Sequence, residues 1–200
     1  MIEKEEIYMH NTHGGGAQTN VNGLQFERDT QLSEALIKMG FVLEVIEQTK
    51  NGSTSAHKVF DTNHDELGLL LQKNYLYKHF LTPVGVKSED YISTKLLPDE
   101  SFVNYKTKTV YIIEKKYQAC SGSVDEKPQT CGFKLREYKR LFDPVEYNVK
   151  YMYIFNDWFK QPRYKDMLEY IRECDCDYYF DCVPLEKIGL SEWSADEDGN

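Results

Sequence analysis

Asp99, Glu114 and Lys116 are the residues of this sequence whose types and spacing most readily make a reactive site. Pro98-Asp99 opens a predicted hairpin, and fourteen residues separate Asp99 from Glu114-Lys115-Lys116. A hairpin folds Asp99 back beside Glu114, and strand alternation puts Lys116 on the same face as Glu114. Two carboxylates and an ammonium then converge at one sheet edge. Two carboxylates, phosphate oxygens and water make the all-oxygen shell that Mg²⁺ prefers, and Mn²⁺ accepts the same donors. Such an ion lowers the pKa of a bound water and neutralises charge developing at phosphorus. An adjacent lysine orients that water and offsets negative charge. The backbone carbonyl of Lys115 adds a further oxygen donor, while its side chain falls on the opposite face of the strand. The chemistry that suits this trio is phosphodiester hydrolysis.

Each member alone has an ordinary reading, a surface carboxylate or a solvated lysine. Their convergence next to Ile112, where an apolar strand ends, favours chemistry, because α/β proteins place their sites there.

The elements that must position the trio follow from periodicity. Gly14-Gly15-Gly16, Asn20 and Asn22-Gly23 read as a flexible loop, since Gly and Asn accept left-handed backbone angles. A helix is predicted over residues 24–39, from Leu32, Ala35, Leu36 and Met39 at helical spacing, with Gly40 as its stop. Residues 41–46 are β-branched and apolar and read as a strand. Residues 47–62 are polar around Asn51-Gly52 and read as a loop or hairpin turn. Residues 67–81 read as a helix. Residues 101–105 and 109–118 read as two strands around Lys106-Thr107-Lys108. Val110, Ile112, Glu114, Lys116 and Gln118 share one face of the second strand.

A helix from the 120–123 loop to Phe142 is expected from Val124, Pro128, Cys131, Leu135, Tyr138 and Phe142, with Ser123 and Glu126 at capping-box spacing. Asp143-Pro144 ends it. A strand at 149–155, a helix at 164–173 and a strand at 178–183 complete the chain. The expected fold class is α/β, grading into α+β, with a central mixed β-sheet flanked by helices. Residues 1–190 form the expected single domain, opening with an arm over 1–23, and residues 191–200 an acidic tail.

Pro98-Asp99…Glu114-Lys115-Lys116 resembles the signature of the PD-(D/E)XK nuclease superfamily, with every motif position filled. Asn20-x-Asn22-Gly23-x-x-Phe26-Glu27 resembles the start of the first helix in many of these nucleases, where a glutamate contributes to the metal site; Glu27 matches it. The run Glu114 to Gln118, then Gly122 to Lys127, and the later Tyr153-Ile-Phe-Asn-Asp-Trp158-Phe159, resemble type II restriction endonucleases.

The resemblance covers roughly residues 20–185. It implies a restriction-endonuclease-like core and Mg²⁺-dependent cleavage of double-stranded DNA at a specific sequence, leaving 5′-phosphate and 3′-hydroxyl ends. Asp99 and Glu114 would bind the metal, Lys116 would position or activate the water, and Glu27 would complete a metal shell or hold water. A two-fold homodimer on a palindromic site is the simplest assembly for cutting both strands. Gln118, Lys127, Lys134, Asn156, Lys160 and Arg163 are the candidate DNA contacts, with Lys115 and Lys165 as further cations for the groove. A junction-resolving or repair nuclease on the same core is the alternative enzyme, and an inactive nucleic-acid-binding module the alternative of another class.

Composition bounds these readings. The chain has 200 residues and a net charge of −9, so DNA affinity must come from a local groove and not from the global field. Glu192, Asp196, Glu197 and Asp198 crowd the C-terminus with no base among them. The start of the chain does not read as an export signal, and no apolar run approaches the roughly 20 residues that span a bilayer, so a cytoplasmic protein is expected. Five cysteines, Cys120, Cys131, Cys174, Cys176 and Cys182, then read as reduced thiols. Their C-x-C spacing is unlike common zinc knuckles. His10 and His13 precede the glycine loop and are expected to be solvent-exposed. No phosphate-binding loop, dinucleotide fingerprint, nucleophile elbow or H-E-x-x-H helix is present.

Overall fold

Strand β5, Thr109–Lys116, is the axis of the molecule. Its residues are buried except for Lys116, which is half-buried, because neighbouring strands and helices cover both its faces. The computed structural model describes residues 15–119 and 126–190, with side chains from Asn22 onward. The histidines at 10 and 13, Cys120, the Ser123 cap and the acidic tail lie outside the described residues.

Seven strands form one sheet in the order β1-β2-β3-β4-β5-β6-β7. The first five, β1 (Val42–Gln48), β2 (Ser55–Phe60), β3 (Glu66–Leu71), β4 (Glu100–Asn104) and β5, run antiparallel. Strands β6 (Asn148–Phe155) and β7 (Asp177–Phe180) continue parallel to β5. Each parallel step needs a crossover, which α3 (Cys131–Phe142) and α4 (Lys165–Glu173) supply. Helices α1 (Gly15–Asp29) and α2 (Leu32–Lys38) precede the sheet.

The two faces bury separate apolar clusters. Val110 and Ile112 of β5 pack with Tyr151, Tyr153 and Phe155 of β6 under Leu135, Tyr138 and Phe142 of α3 and Met167 and Ile171 of α4. Tyr111 and Ile113 pack with Met152 and Ile154 on the other face, beneath Leu32 and Leu36 of α2. The mixed sheet covered by helices is therefore as the sequence predicts, and so is the alternation of β5. None of the helices among the described residues is long and apolar enough to cross a membrane.

Several elements differ from the sequence-based expectation. The expected glycine loop is helical from Gly15, and the expected single helix over 24–39 breaks at Gln31, which is extended (φ −64°, ψ 127°). Helix propensity is a weak preference, since each added residue gains a hydrogen bond whatever its side chain. The break has a tertiary cause: both carboxylate oxygens of Glu100 accept the Leu32 N–H. Residues 55–60, expected as loop, form β2 and bury Ala56, Val59 and Phe60, and Asn51-Gly52 turns the hairpin before it. Residues 66–71, assigned to a helix, form β3; only a short π-helix, Tyr77–Leu81, follows.

Gly68 explains why β3 is a strand. A Cβ there would stand 1.9 Å from the Val103 carbonyl oxygen, so β3 and β4 approach to a distance that only glycine allows. Gly68→Ala is expected to cost about 3 kcal/mol, overpacking of the kind that shifts backbones. Thermal denaturation should show a midpoint lower by roughly 10 °C in a chain of this size.

Candidate active site

Asp99 stands one residue before β4, and the β4–β5 register, Glu100 opposite Ile113, brings it level with the end of β5. The Lys115 backbone N–H donates to Asp99 Oδ2 at 2.7 Å, which fixes that carboxylate against the strand. Lys116 Nζ donates to Glu114 Oε2 and to the Lys115 carbonyl, both at 2.9 Å, and lies 3.6 Å from Asp99 Oδ2. The three oxygen donors expected from the sequence thus converge on a single ammonium. Burial alone would push the Lys116 pKa down, but Glu114, Asp99 and Glu27 outweigh it and hold the lysine protonated. Burial likewise pushes Asp99 up, and Lys116, Lys73 and the Lys115 N–H outweigh it, so its carboxyl is held below the usual range.

That ammonium is a stand-in cation by which the donor set can be judged. Two carboxylates and a carbonyl are hard oxygen donors, which suit Mg²⁺ or Mn²⁺ completed by water and phosphate, and leave room for both. Asp99, Glu114 and the Lys115 carbonyl are the groups that would hold the ion. Among the described residues no group of three or more His, Cys, Asp or Glu side chains is gathered to hold a metal. Glu27, the further metal ligand that the resemblance implies, stands beside this trio, close enough to feel the Asp99 charge and to act on Lys116. Its carboxyl faces a cavity of about 380 Å³ shared with Asp99, Lys73, Arg28 and Gln72. Burial and the Asp99 charge raise its pKa, which suits a group that holds water near the carboxylates.

The far side of β5 carries a buried ion pair that the sequence reading missed. Lys115 Nζ sits 2.9 Å from Glu100 Oε2, with the two side chains 2% and 1% exposed. Both Glu100 oxygens also accept the Leu32 N–H, at 3.2 Å each, and Gln72 Nε2 donates to Oε1 at 3.3 Å. Glu100 therefore caps α2 from 68 residues away, which is why the helix breaks at Gln31. Lys115 Nζ further donates to the Glu27 carbonyl at 2.9 Å. The pair ties α1, α2, β4 and β5 together and sets Glu27 against the site.

The other candidates separate into three groups. Lys134 of α3, expected as a DNA contact, lies in the site itself, 3.4 Å from Glu114 Oε2. Lys115, expected as a groove cation, is corrected to a buried structural residue, because its charge is spent on Glu100.

Asn156 and Gln118 are corrected likewise. Gln118 is buried, and the Asn156 side-chain amide accepts the Gln118 backbone N–H at 3.1 Å and donates to the Gln118 backbone carbonyl at 2.8 Å. This side-chain ladder prolongs β5 beyond Lys116 and holds the trio in register. Lys160 pairs with Asp157 at 2.6 Å, and Arg163 stacks on Trp158 and Tyr164. Lys127 stands exposed on the 3₁₀ turn before α3.

Lys73, two residues past the end of β3, is the other residue the sequence reading missed. Its Nζ bonds Asp99 Oδ1, opposite the Lys115 N–H. A legible signal existed: Gln72-Lys73 follows the apolar Leu69-Leu70-Leu71 as Glu114-Lys115-Lys116 follows Ile112-Ile113. Tyr138 also reaches the site; its hydroxyl is buried without a hydrogen-bond partner among the described residues, and burial and then Glu114 push its pKa well up.

A larger hollow, about 490 Å³, opens at the other end of β5 and β6 around Thr109, Asn148 and Lys150. Asp175 there is already paired with Lys139 and Lys150, so this hollow concentrates no unbalanced charge. Cys131, Cys174 and Cys176 cluster where α3 and α4 meet, and hydrogen bonding from Cys176 and Cys174 lowers the Cys131 pKa to about 7. The described cysteines are free thiols.

Comparison of the chain with protein-family models, with curated proteins and with solved structures finds no significant match.

Proposed function

We propose that the protein is a Mg²⁺-dependent endonuclease that hydrolyses phosphodiester bonds in double-stranded DNA at a specific sequence, in the manner of a type II restriction enzyme. One observation carries the reading: Asp99, Glu114 and the Lys115 carbonyl surround the Lys116 ammonium where the central strand ends. The resemblance of Pro98-Asp99…Glu114-Lys115-Lys116 to the PD-(D/E)XK signature supports it. A homodimer with two-fold symmetry fits a palindromic target, one site serving each strand.

A bound Mg²⁺ would supply a water of lowered pKa and a positive charge against the scissile phosphate. The protein's part is positioning and electrostatics. The Lys115 N–H holds the Asp99 carboxylate in place, and Lys116 and Lys134 hold that of Glu114. Lys116, being protonated, donates a hydrogen bond; it aims the attacking water and stabilises charge growing on the phosphoryl oxygens. Glu27 orders water on the cavity side.

Supercoiled plasmid incubated with the protein should be cut at fixed positions with Mg²⁺ or Mn²⁺ and left intact in EDTA. In Ca²⁺ binding should persist without turnover, because Ca²⁺ tolerates loose oxygen shells but activates water poorly. Undiminished cleavage in excess EDTA would overturn the reading, and sequencing the cut ends would give the site.

A further inference from the structure

We propose that Lys73 is a phosphate-binding residue that exchanges partners, resting on Asp99 when no metal is bound and contacting a DNA phosphate when the metal takes Asp99. This rests on the nuclease reading and adds to it a substrate contact outside the motif.

Charge balance is the first argument. Two carboxylates, Asp99 and Glu114, are contacted by three ammoniums: Lys73 and Lys116 at Asp99, Lys116 and Lys134 at Glu114. A divalent ion entering between the carboxylates moves the Lys116 ammonium off the shared donors and takes over their charge, and of the lysines then left on a carboxylate the one with the most freedom to leave is released. Lys73 is that residue. Its side chain is 41% exposed, against 14% for Lys116 and 25% for Lys134.

Backbone conformation is the second. Lys73 holds φ +50°, a left-handed angle at which glycine or asparagine is the easy choice. Its N–H is anchored to the Pro98 carbonyl at 2.9 Å, so the strained residue is pinned directly beside Asp99. Strain kept at a site is a pointer to what the side chain does there.

The third is access. Lys73 lines the cavity of about 380 Å³ together with Asp99, Glu27 and the Asn51–Thr54 turn. A released ammonium therefore stays within reach of whatever the metal holds. Arg28 of α1 lies on the same wall, so a phosphate there meets two cations.

Lys73→Asn removes the charge and keeps a residue that tolerates the left-handed angle. Two readouts use no turnover. Titrating Mn²⁺ into the DNA-free protein by calorimetry, the variant should bind about two- to fivefold more tightly than the parent, since its ligand carboxylate no longer carries a competing ammonium. Duplex affinity is then measured against salt. In Ca²⁺ the slope of log affinity against log salt should be shallower by about 0.9 in the variant, the signature of one lost phosphate contact. In EDTA the two slopes should coincide, because Lys73 is then held by Asp99. Lys73→Arg should restore the Ca²⁺ slope.

Equal Mn²⁺ affinity, or slopes that coincide in Ca²⁺, overturns the exchange while the nuclease reading stands. If the parent protein binds neither Mn²⁺ nor duplex DNA, both fall. Should Lys73→Asn fail to fold, Lys73→Gly at the same angle serves the same titrations.

Discussion

Lys116→Ala is expected to lower DNA cleavage by about 10³-fold, the scale for removing one positioned electrostatic donor from a reacting site. The protein should remain folded. Glu114 keeps Lys134 as partner and Asp99 keeps Lys73 and the Lys115 N–H, so neither carboxylate is left buried and unpaired. Duplex binding in Ca²⁺ should persist. Single-turnover cleavage of a labelled duplex, with circular dichroism as the folding control, separates these quantities. Glu114→Gln and Asp99→Asn should lose cleavage on the same scale and should also lose Mn²⁺ binding, which Lys116→Ala need not. Cleavage by Lys116→Ala at the parental rate would remove the proposed chemistry from this strand face.

Lys115, one residue away, is expected to behave in the opposite sense. Lys115→Met should cost about 3–5 kcal/mol of stability, because it leaves the buried Glu100 without its partner. For a chain this size that lowers the thermal midpoint by roughly 10 °C or more. Glu100→Gln should cost a similar amount from the other side. The double variant should recover a large part of the loss, since replacing a buried pair with neutral groups is often close to neutral, whereas breaking it is not. Chemical denaturation of the four proteins closes this cycle. At temperatures where Lys115→Met is still folded its cleavage should fall far less than that of Lys116→Ala. A single variant as stable as the parent would show that the pair does not hold α1 and α2 to the sheet.

The two lysines illustrate what one sequence makes legible. Strand alternation assigns Lys115 and Lys116 to opposite faces from their positions alone, and the structure agrees. Alternation says nothing of what waits on each face. One face holds Glu114, two residues away; the other holds Glu100, which reaches Lys115 only because β4 pairs with β5.

Local pattern determined much of the rest. The run from Thr109 to Lys116, the β-branched 149–155 segment and the amphipathic stripe of α3 are strand, strand and helix because each repeats at the period of its own geometry. The convergence of Asp99 with Glu114 was legible too, because a short hairpin leaves few ways to pair its strands.

What only the tertiary structure decided are the elements and contacts whose cause lies far along the chain. Residues 66–71 read as helix because a leucine-rich run fits either period; they are a strand because β2 and β4 flank them and Gly68 lets Val103 approach. Helix α2 starts at Leu32, where Glu100, 68 residues away, takes its N–H. Asn156 and Gln118 carry the polar side chains of DNA-reading residues, yet the Asn156 amide is bonded to the Gln118 backbone and Gln118 is buried. Lys73 meets Asp99, 26 residues away, because its N–H is bonded to the Pro98 carbonyl, a juxtaposition that no spacing rule encodes. Periodicity is a local property and can be read along the chain; the partner of a buried charge is set by folding, because burying it demands whichever opposite charge the packed sheet brings within reach.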